Sequence, residues 1–376
     1  MMAHAANIYR LGIKELWSLA RDPVMLVLIA YTFTFSIYVS ATAMKETLNK
    51  APIVFVDEDG SPLSAKIVSA FYPPRFKMPE IISLAGVDPG MDVGSYTFVL
   101  DIPPDFQRDV MAGRAPSIQL NVDATRMSQA FTGSSYIQQM VMGEIAEFVH
   151  GFRGSPAPPV DLVLRARFNP NLEESWFGAL MEIINNVTML SIVLTGAALI
   201  REREHGTIEH LLVMPVTPSE IMLAKVWSMG LVVLFSAAFA LLFVVKGVLR
   251  VPIEGSVALF LAGTSLHLFA TNSMAIFMAT LARSMPQFGM LAVLILMPLQ
   301  LLSGNATPRE SMPQLVQDVM LLSPTTHFVA IGQAILFRGA GLGVVWPEFL
   351  ALAVIGAIFF AVSLNRFRKT ISQMNG

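Results

Sequence analysis

Six apolar stretches, each about as long as a bilayer is thick, constrain this chain more than any other feature. They run approximately from Val24 to Thr42, Phe177 to Ile200, Trp227 to Val245, Val257 to Leu281, Pro286 to Ser303 and Val345 to Leu364. A hydrocarbon core about 30 Å thick takes ~20 mostly apolar residues wound as a helix, because lipid satisfies no backbone hydrogen bond. The stretches therefore predict six transmembrane helices in an α-helical polytopic membrane protein. Composition agrees: 54% of the 376 residues are hydrophobic and 14% charged, against about 25% charged in soluble domains.

The first stretch ends in Ala41-Thr42-Ala43, the small-x-small pattern of a signal-peptide cleavage site. Its apolar run is longer than the ~7–15 residues of a signal peptide, and a long segment precedes it, so an uncleaved anchor is expected. Lys and Arg in the short flanks set the orientation. Ten lie on one side, at Arg10, Lys14, Arg21, Arg201, Arg203, Lys225, Arg283, Arg366, Arg368 and Lys369, against four on the other, at Lys246, Arg250, Arg309 and Arg338. Both termini are thereby predicted to be cytoplasmic, and residues 45–175 to be periplasmic or extracellular.

That long insertion reads as a large α/β extracytoplasmic domain between the first and second spans. APIVFVDEDGSP gives a strand and turn, followed by a helix from Ser61 to about Tyr72. SYTFVLDIPPDFQRDVMAGRAPSIQLNVD then repeats strand, helix and strand, with Pro103 or Pro104 near the helix start. A helix from Gly133 to His150, a linker GSPAPPV and a strand from Asp161 to Phe168 complete it. The acids Asp57, Asp59, Asp101 and Asp123 fall at strand ends with no spacing that suits a metal loop or a catalytic pair, so turn and cap roles are expected. No metal site is predicted.

Residues 1–23 place Ile8, Leu11, Leu16 and Leu19 near one helical face, which suits a cytoplasmic helix lying in the membrane interface or a simple extension of the first span. Pro298 should kink the fifth span. Within residues 304–344, MPQLVQDVMLLSP and THFVAIGQAILFRG read as outer-face helices that partly dip towards the bilayer.

Function is bounded by what drives it. None of the eight lysines follows a glycine, so the Gly-Lys-Ser/Thr step of a P-loop is missing. Corresponding interrupted segments, the mark of an inverted-repeat secondary transporter, are not evident either. Energy is expected to enter through the cytoplasmic loops, of which REREHGTIEHLLVMPVTPSEIMLAKV, residues 201–226, is the substantial one.

That string resembles the coupling segment of ABC-2 type transporter permeases, at Glu204, Gly206, Thr207, Glu209, Leu211, Leu212 and Pro215, followed by Pro218, Ser219, Glu220 and Lys225. KELWSLARDP, VFVDEDGSP, DIPPDF and LLSGNATPRESMPQLVQDVMLLSPTTHF resemble further family segments in the same order, so that the resemblance covers nearly the whole chain, most closely to a subgroup of bacterial inner-membrane permeases. It implies the membrane-spanning subunit of an exporter in the bacterial inner membrane. A separate ABC ATPase subunit, holding ATP and Mg that this chain itself does not bind, would drive it, and a second permease half, identical or paralogous, would complete a dimer. A periplasmic adaptor is left open, membrane lipids surround the spans, and with net charge −2 and no run of like charge no nucleic acid is expected. The permease is then not itself an enzyme.

For docking on an ATPase, Ile208, Leu211 and Leu212 supply apolar knobs at helical spacing, and Arg203, Glu204 and Glu209 supply rim charges. Gly206 allows a bend or a close approach, and Pro215 stops the helix. Inside the spans, Glu182, Asn185 and Asn186, with His267, Thr271 and Asn272, either line a substrate path or tie helices together by hydrogen bonds. The rival from another class is a membrane-anchored envelope interaction protein whose outer domain recruits a partner without ATPase coupling.

Overall fold

The computed structural model describes residues 2–43, 50–123, 127–151, 174–204, 206, 216–305, 307 and 309–374. The strand expected over 161–168 and the linker before it lie outside them. The chain separates into two compact units, residues 1–44 with 166–376, and residues 45–165.

In chain order, α1 (Met2–Ala20) leads into α2 (Pro23–Thr42). The smaller unit follows, with β1 (Ile53–Asp57), α3 (Pro62–Ser69), β2 (Glu80–Ile81), α4 (Val87–Asp92), β3 (Phe98–Ile102), α5 (Phe106–Met111), β4 (Gln119–Val122) and α6 (Met127–His150). The helical unit resumes with α7 (Glu174–Glu204), α8 (Pro218–Val248), α9 (Val257–Leu281) and α10 (Met285–Leu302). It closes with α11 (Gln314–Met320), α12 (Pro324–Phe337) and α13 (Leu342–Met374). Among the described residues six helices are long and apolar enough to cross a membrane, namely α2, α7, α8, α9, α10 and α13.

The helix starts are written locally. Asp22 accepts from the Met25 amide and Pro23 occupies the first turn of α2, where the missing N–H costs nothing. Thr217 and Glu220 form a reciprocal capping box around Pro218, which starts α8 nine residues earlier than the apolar run at Trp227 suggested. The segment 201–226 is therefore not loop throughout, because its first four residues end α7 and its last nine open α8.

In the helical unit α7 is central: 83% of its apolar window is buried, whereas the windows of α10 and α13 are 22% and 17% buried and present their apolar faces outward. Within 304–344 the two expected helices are α11 and α12. The axis of α12 turns 91° from α11, and Phe328, Ile331 and Ile335 are fully buried. Phe328 stacks on Phe260 and His267, with centroids 5.6 and 4.1 Å apart, so this face of α12 packs into the bundle.

The smaller unit is a four-stranded sheet in the order β2-β1-β3-β4, parallel except for the β3-β4 pair. Alternation along β3 sends Phe98, Leu100 and Ile102 into a core with α3, α5 and α6, while Val99 meets Val54, Val56 and Val87 on the other face. Asp57 accepts from the Asp59 and Gly60 amides and the Ser64 hydroxyl, and Asp59 accepts from the Gln107 amide, so both serve turns and caps. The helix expected from Pro103 or Pro104 begins instead at Phe106, after Asp105 in a left-handed conformation.

Candidate functional site

The richest cluster of charge lies at the end of the bundle where α7 stops and α8 starts. The amphipathic α1 lies against α8 there. Tyr9 stacks on Trp227 at 6.2 Å, the Trp227 indole N–H donates to the Ile8 carbonyl at 3.2 Å, and Gly12 sits against the same ring. A Cβ on Gly12 would fall 2.1 Å from Trp227 Cζ2, so only glycine permits this approach. Further along, Glu220 accepts hydrogen bonds from Asn7 and meets the His4 ring at 2.9 Å.

Four charged side chains close the seam. Lys225, 1% exposed, places Nζ 2.9 Å from Glu15 and 2.7 Å from Glu202. Lys14 Nζ reaches Glu202 at 2.5 Å and Glu15 at 3.5 Å. Two ammonium groups thus neutralise two carboxylates drawn from α1 and α7, around a lysine of α8. Burial, reinforced by the neighbouring Glu202 charge, pushes the Glu15 carboxyl up against the pull of Lys225. Burial works against the Lys14 ammonium, yet Glu202 and Glu15 hold it above its ordinary value. Removing one of the buried members, Glu15, Glu202 or Lys225, costs about 3–5 kcal/mol, which fixes α1 on the bundle.

Around this seam the ends of neighbouring helices are tied to α7. Arg201 pairs with Asp22 at the start of α2. Arg203 donates to the carbonyls of Ala282 and Ala279 at 2.6 and 3.2 Å, at the end of α9. Glu204 accepts from the Met285 amide at 2.8 Å, at the start of α10. Arg203 and Glu204, expected as rim charges for a partner, are thus engaged within the bundle. Gly206 has φ +68°, the left-handed conformation that favours glycine, and among the described residues nothing lies within 4 Å of a Cβ position. Thr207, Glu209, Leu211, Leu212 and Pro215 lie outside the described residues.

The polar residues inside the spans are brought together as helix ties. Glu182 accepts from Ser36 at 2.7 Å and Asn186 donates to the Thr32 carbonyl at 2.9 Å, joining α7 to α2. His267 meets Thr188 at 2.9 Å, Ser191 donates to Thr271 at 2.7 Å, and Thr195 donates to Asn272 at 2.9 Å, joining α7 to α9. Asn272 also donates to the Val226 carbonyl at 3.0 Å on α8. Asn185 is half-buried, and its Oδ1 has no partner among the described residues. Among the described residues no group of three His, Asp or Glu is arranged to hold a metal.

Sequence reasoning did not single out the Lys14, Glu15, Glu202 and Lys225 quartet. Its one signal was an ionisable residue inside an apolar helix, Lys225, which calls for a partner.

Comparison with known proteins places this architecture. The profile of the ABC-2 family transporter proteins matches residues 23–365. The chain is 61% identical to the inner membrane transport permease YhhJ of Escherichia coli K12, across 99% of this chain and 100% of that protein. Two proteins named probable multidrug ABC transporter permeases from the same organism are more distant. YbhR is 27% identical across 95% of this chain and 97% of its own length, and YbhS 24% across 94% of each. With a permease relative matched end to end and several apolar helices long enough to span, the protein is a multi-pass inner-membrane permease, and it belongs to the ABC-2 family of transporter proteins.

Proposed function

We propose that this chain is the membrane-spanning half of an ATP-driven exporter and receives its energy through the segment 201–226 from a separate ATPase subunit carrying ATP and Mg. The observation that supports this most is the knitting of helix ends around that segment. Displacement of residues 205–215 is passed directly to α7 and α8, from α7 to α2, α9 and α10, and through Lys225 to α1. Such a junction moves as a rigid body when a docked partner moves, as alternating access requires.

In this reading the segment faces the cytoplasm with both termini, the sheet unit faces the periplasm, and transport runs outward. The outward apolar face of α10, with Met290, Val293, Leu294 and Met297 exposed, suits a second permease half as well as lipid. An interaction protein without an ATPase is disfavoured by relatives that are themselves named as permeases.

The test is purification of the chain from its native membrane in mild detergent, with identification of stoichiometric partners and an ATP hydrolysis assay. A Walker-motif subunit is expected to co-purify. Gly206→Val, strained at its left-handed φ, and Glu204→Arg are expected to lower the ATPase retained by about tenfold, since each disrupts ~1–3 kcal/mol of the junction. A chain that folds normally and brings down no ATPase would overturn the reading.

A further inference from the structure

Far along α7 from the quartet, about 38 Å away at 1.5 Å per residue between Phe177 and Glu202, the bundle holds a second polar site that nothing above employs. It is a pocket of about 490 Å³ between the end of α10, the turn at Arg309, α12 and the start of α13. Two arginines line it, Arg309 and Arg338, and among the described residues neither makes an ion pair. Beneath them are the hydroxyls of Ser303 and Thr326, which are 2% and 5% exposed, line the pocket and have no hydrogen-bond partner among the described residues. Buried hydroxyls are seldom left unpaired, and two of them lining one pocket beside two free guanidinium groups are donors awaiting an acceptor.

The lining is not uniformly basic. Glu348 is held by the His327 ring at 2.5 Å, and His327 in turn meets the Leu321 carbonyl at 2.8 Å, which fixes the ring. Glu310 is exposed at the mouth. A bare anion would meet two carboxylates here, whereas a group with an oxyanion and an ammonium a few bonds apart satisfies both signs. The walls add apolar surface from Phe177, Val329 and Ala330. Beside the pocket, Leu301, Val344 and Trp346 are 53%, 68% and 55% exposed on the spanning helices, and an outward tryptophan at a helix end is characteristic of the membrane–water boundary.

The geometry points to a binding site for a zwitterionic phosphate group of the phosphoethanolamine type, with its phosphate on Arg309, Arg338, Ser303 and Thr326 and its amine towards Glu310. The group can arrive on a diacyl lipid or as a free solute. The site is independent of the ATPase reading.

The test uses the full chain, delipidated in detergent. Native mass spectrometry with dioleoyl-phosphatidylethanolamine is compared with dioleoyl-phosphatidylglycerol and diacylglycerol, and free phosphoethanolamine is added as competitor. Tighter binding of the amine-bearing lipid is expected, weakened about tenfold by Arg309→Gln or Arg338→Gln, as for loss of a charged hydrogen bond. Arg309→Lys should retain most binding, and Glu310→Gln should erase the preference for the amine while leaving phosphate binding. Competition by free phosphoethanolamine assigns the site to a solute, and its failure to compete assigns it to the lipid; both support the site. Ser303→Ala, which removes one donor at small cost in packing, keeps the test decisive if an arginine variant misfolds. Equal binding of all three lipids, or binding indifferent to these substitutions, would overturn the proposal.

Discussion

Asp22 shows how much one half-buried carboxylate can do at a junction. Burial pushes its pKa up, but the Met25 amide and the Arg201 guanidinium outweigh it and hold the carboxyl below its ordinary value of 3.8. A carboxyl depressed in the folded state contributes stability that is present above the unfolded pKa and is lost as pH falls through the folded one. Asp22→Ala is therefore expected to cost about 1 kcal/mol near neutral pH, the usual value of an N-cap. The difference from wild type should shrink below about pH 4. Thermal unfolding in detergent across that range checks it, and a gap that stays constant with pH would argue against the capping role. Glu15, whose carboxyl is pushed up, titrates in the opposite sense, so Glu15→Gln is the control that separates the two. Residues such as these were only half legible in the sequence. Asp22-Pro23 is a cap signal that can be read locally, whereas Lys225 finds Glu15 across 210 positions, a distance over which no periodicity speaks.

Among elements, α1 docks on α8 through the Trp227 ring as well as through the charged quartet. Gly12→Leu would drive a branched side chain into the Trp227 ring and should lift α1 off α8. Increased proteolysis near the N-terminus, with the remaining bundle intact, is the expected outcome, and unchanged protection would show that the helix accommodates the side chain. Legibility also divides by element. The spans were evident from hydropathy, since α9 runs from Val257 to Leu281, the very stretch read from the sequence. The start of α8 was missed because an apolar run was followed instead of the Thr217-Pro218-x-Glu220 capping pattern, which says more about where a helix begins. Burial of α12 was not legible, because a short apolar helix reads alike whether it covers a bundle or enters one. Only the stacking of Phe328 on Phe260 and His267 decides between these.

At the scale of the whole molecule, the sheet unit closes its own core. Among the described residues, every buried residue of its two hydrophobic clusters lies between Ala51 and Val141. Residues 45–165 expressed alone are expected to be soluble and to unfold in a single cooperative transition. A chain that aggregates, or shows no cooperative melt, would mean that the spans complete the fold. The candidate site was legible to a different degree. The family segment drew attention to Arg203, Glu204 and Gly206, but which helices Arg203 and Glu204 fasten together emerged only in three dimensions.

The unbroken course of α7 has one more consequence. Its 31 residues make a rod about 46 Å long, half as long again as the hydrocarbon layer of about 30 Å. Caged by its neighbours over most of its length, the rod cannot lean by itself to absorb the excess. Any lean must be taken by the whole bundle, and a thinner or thicker bilayer would register at both of its ends together.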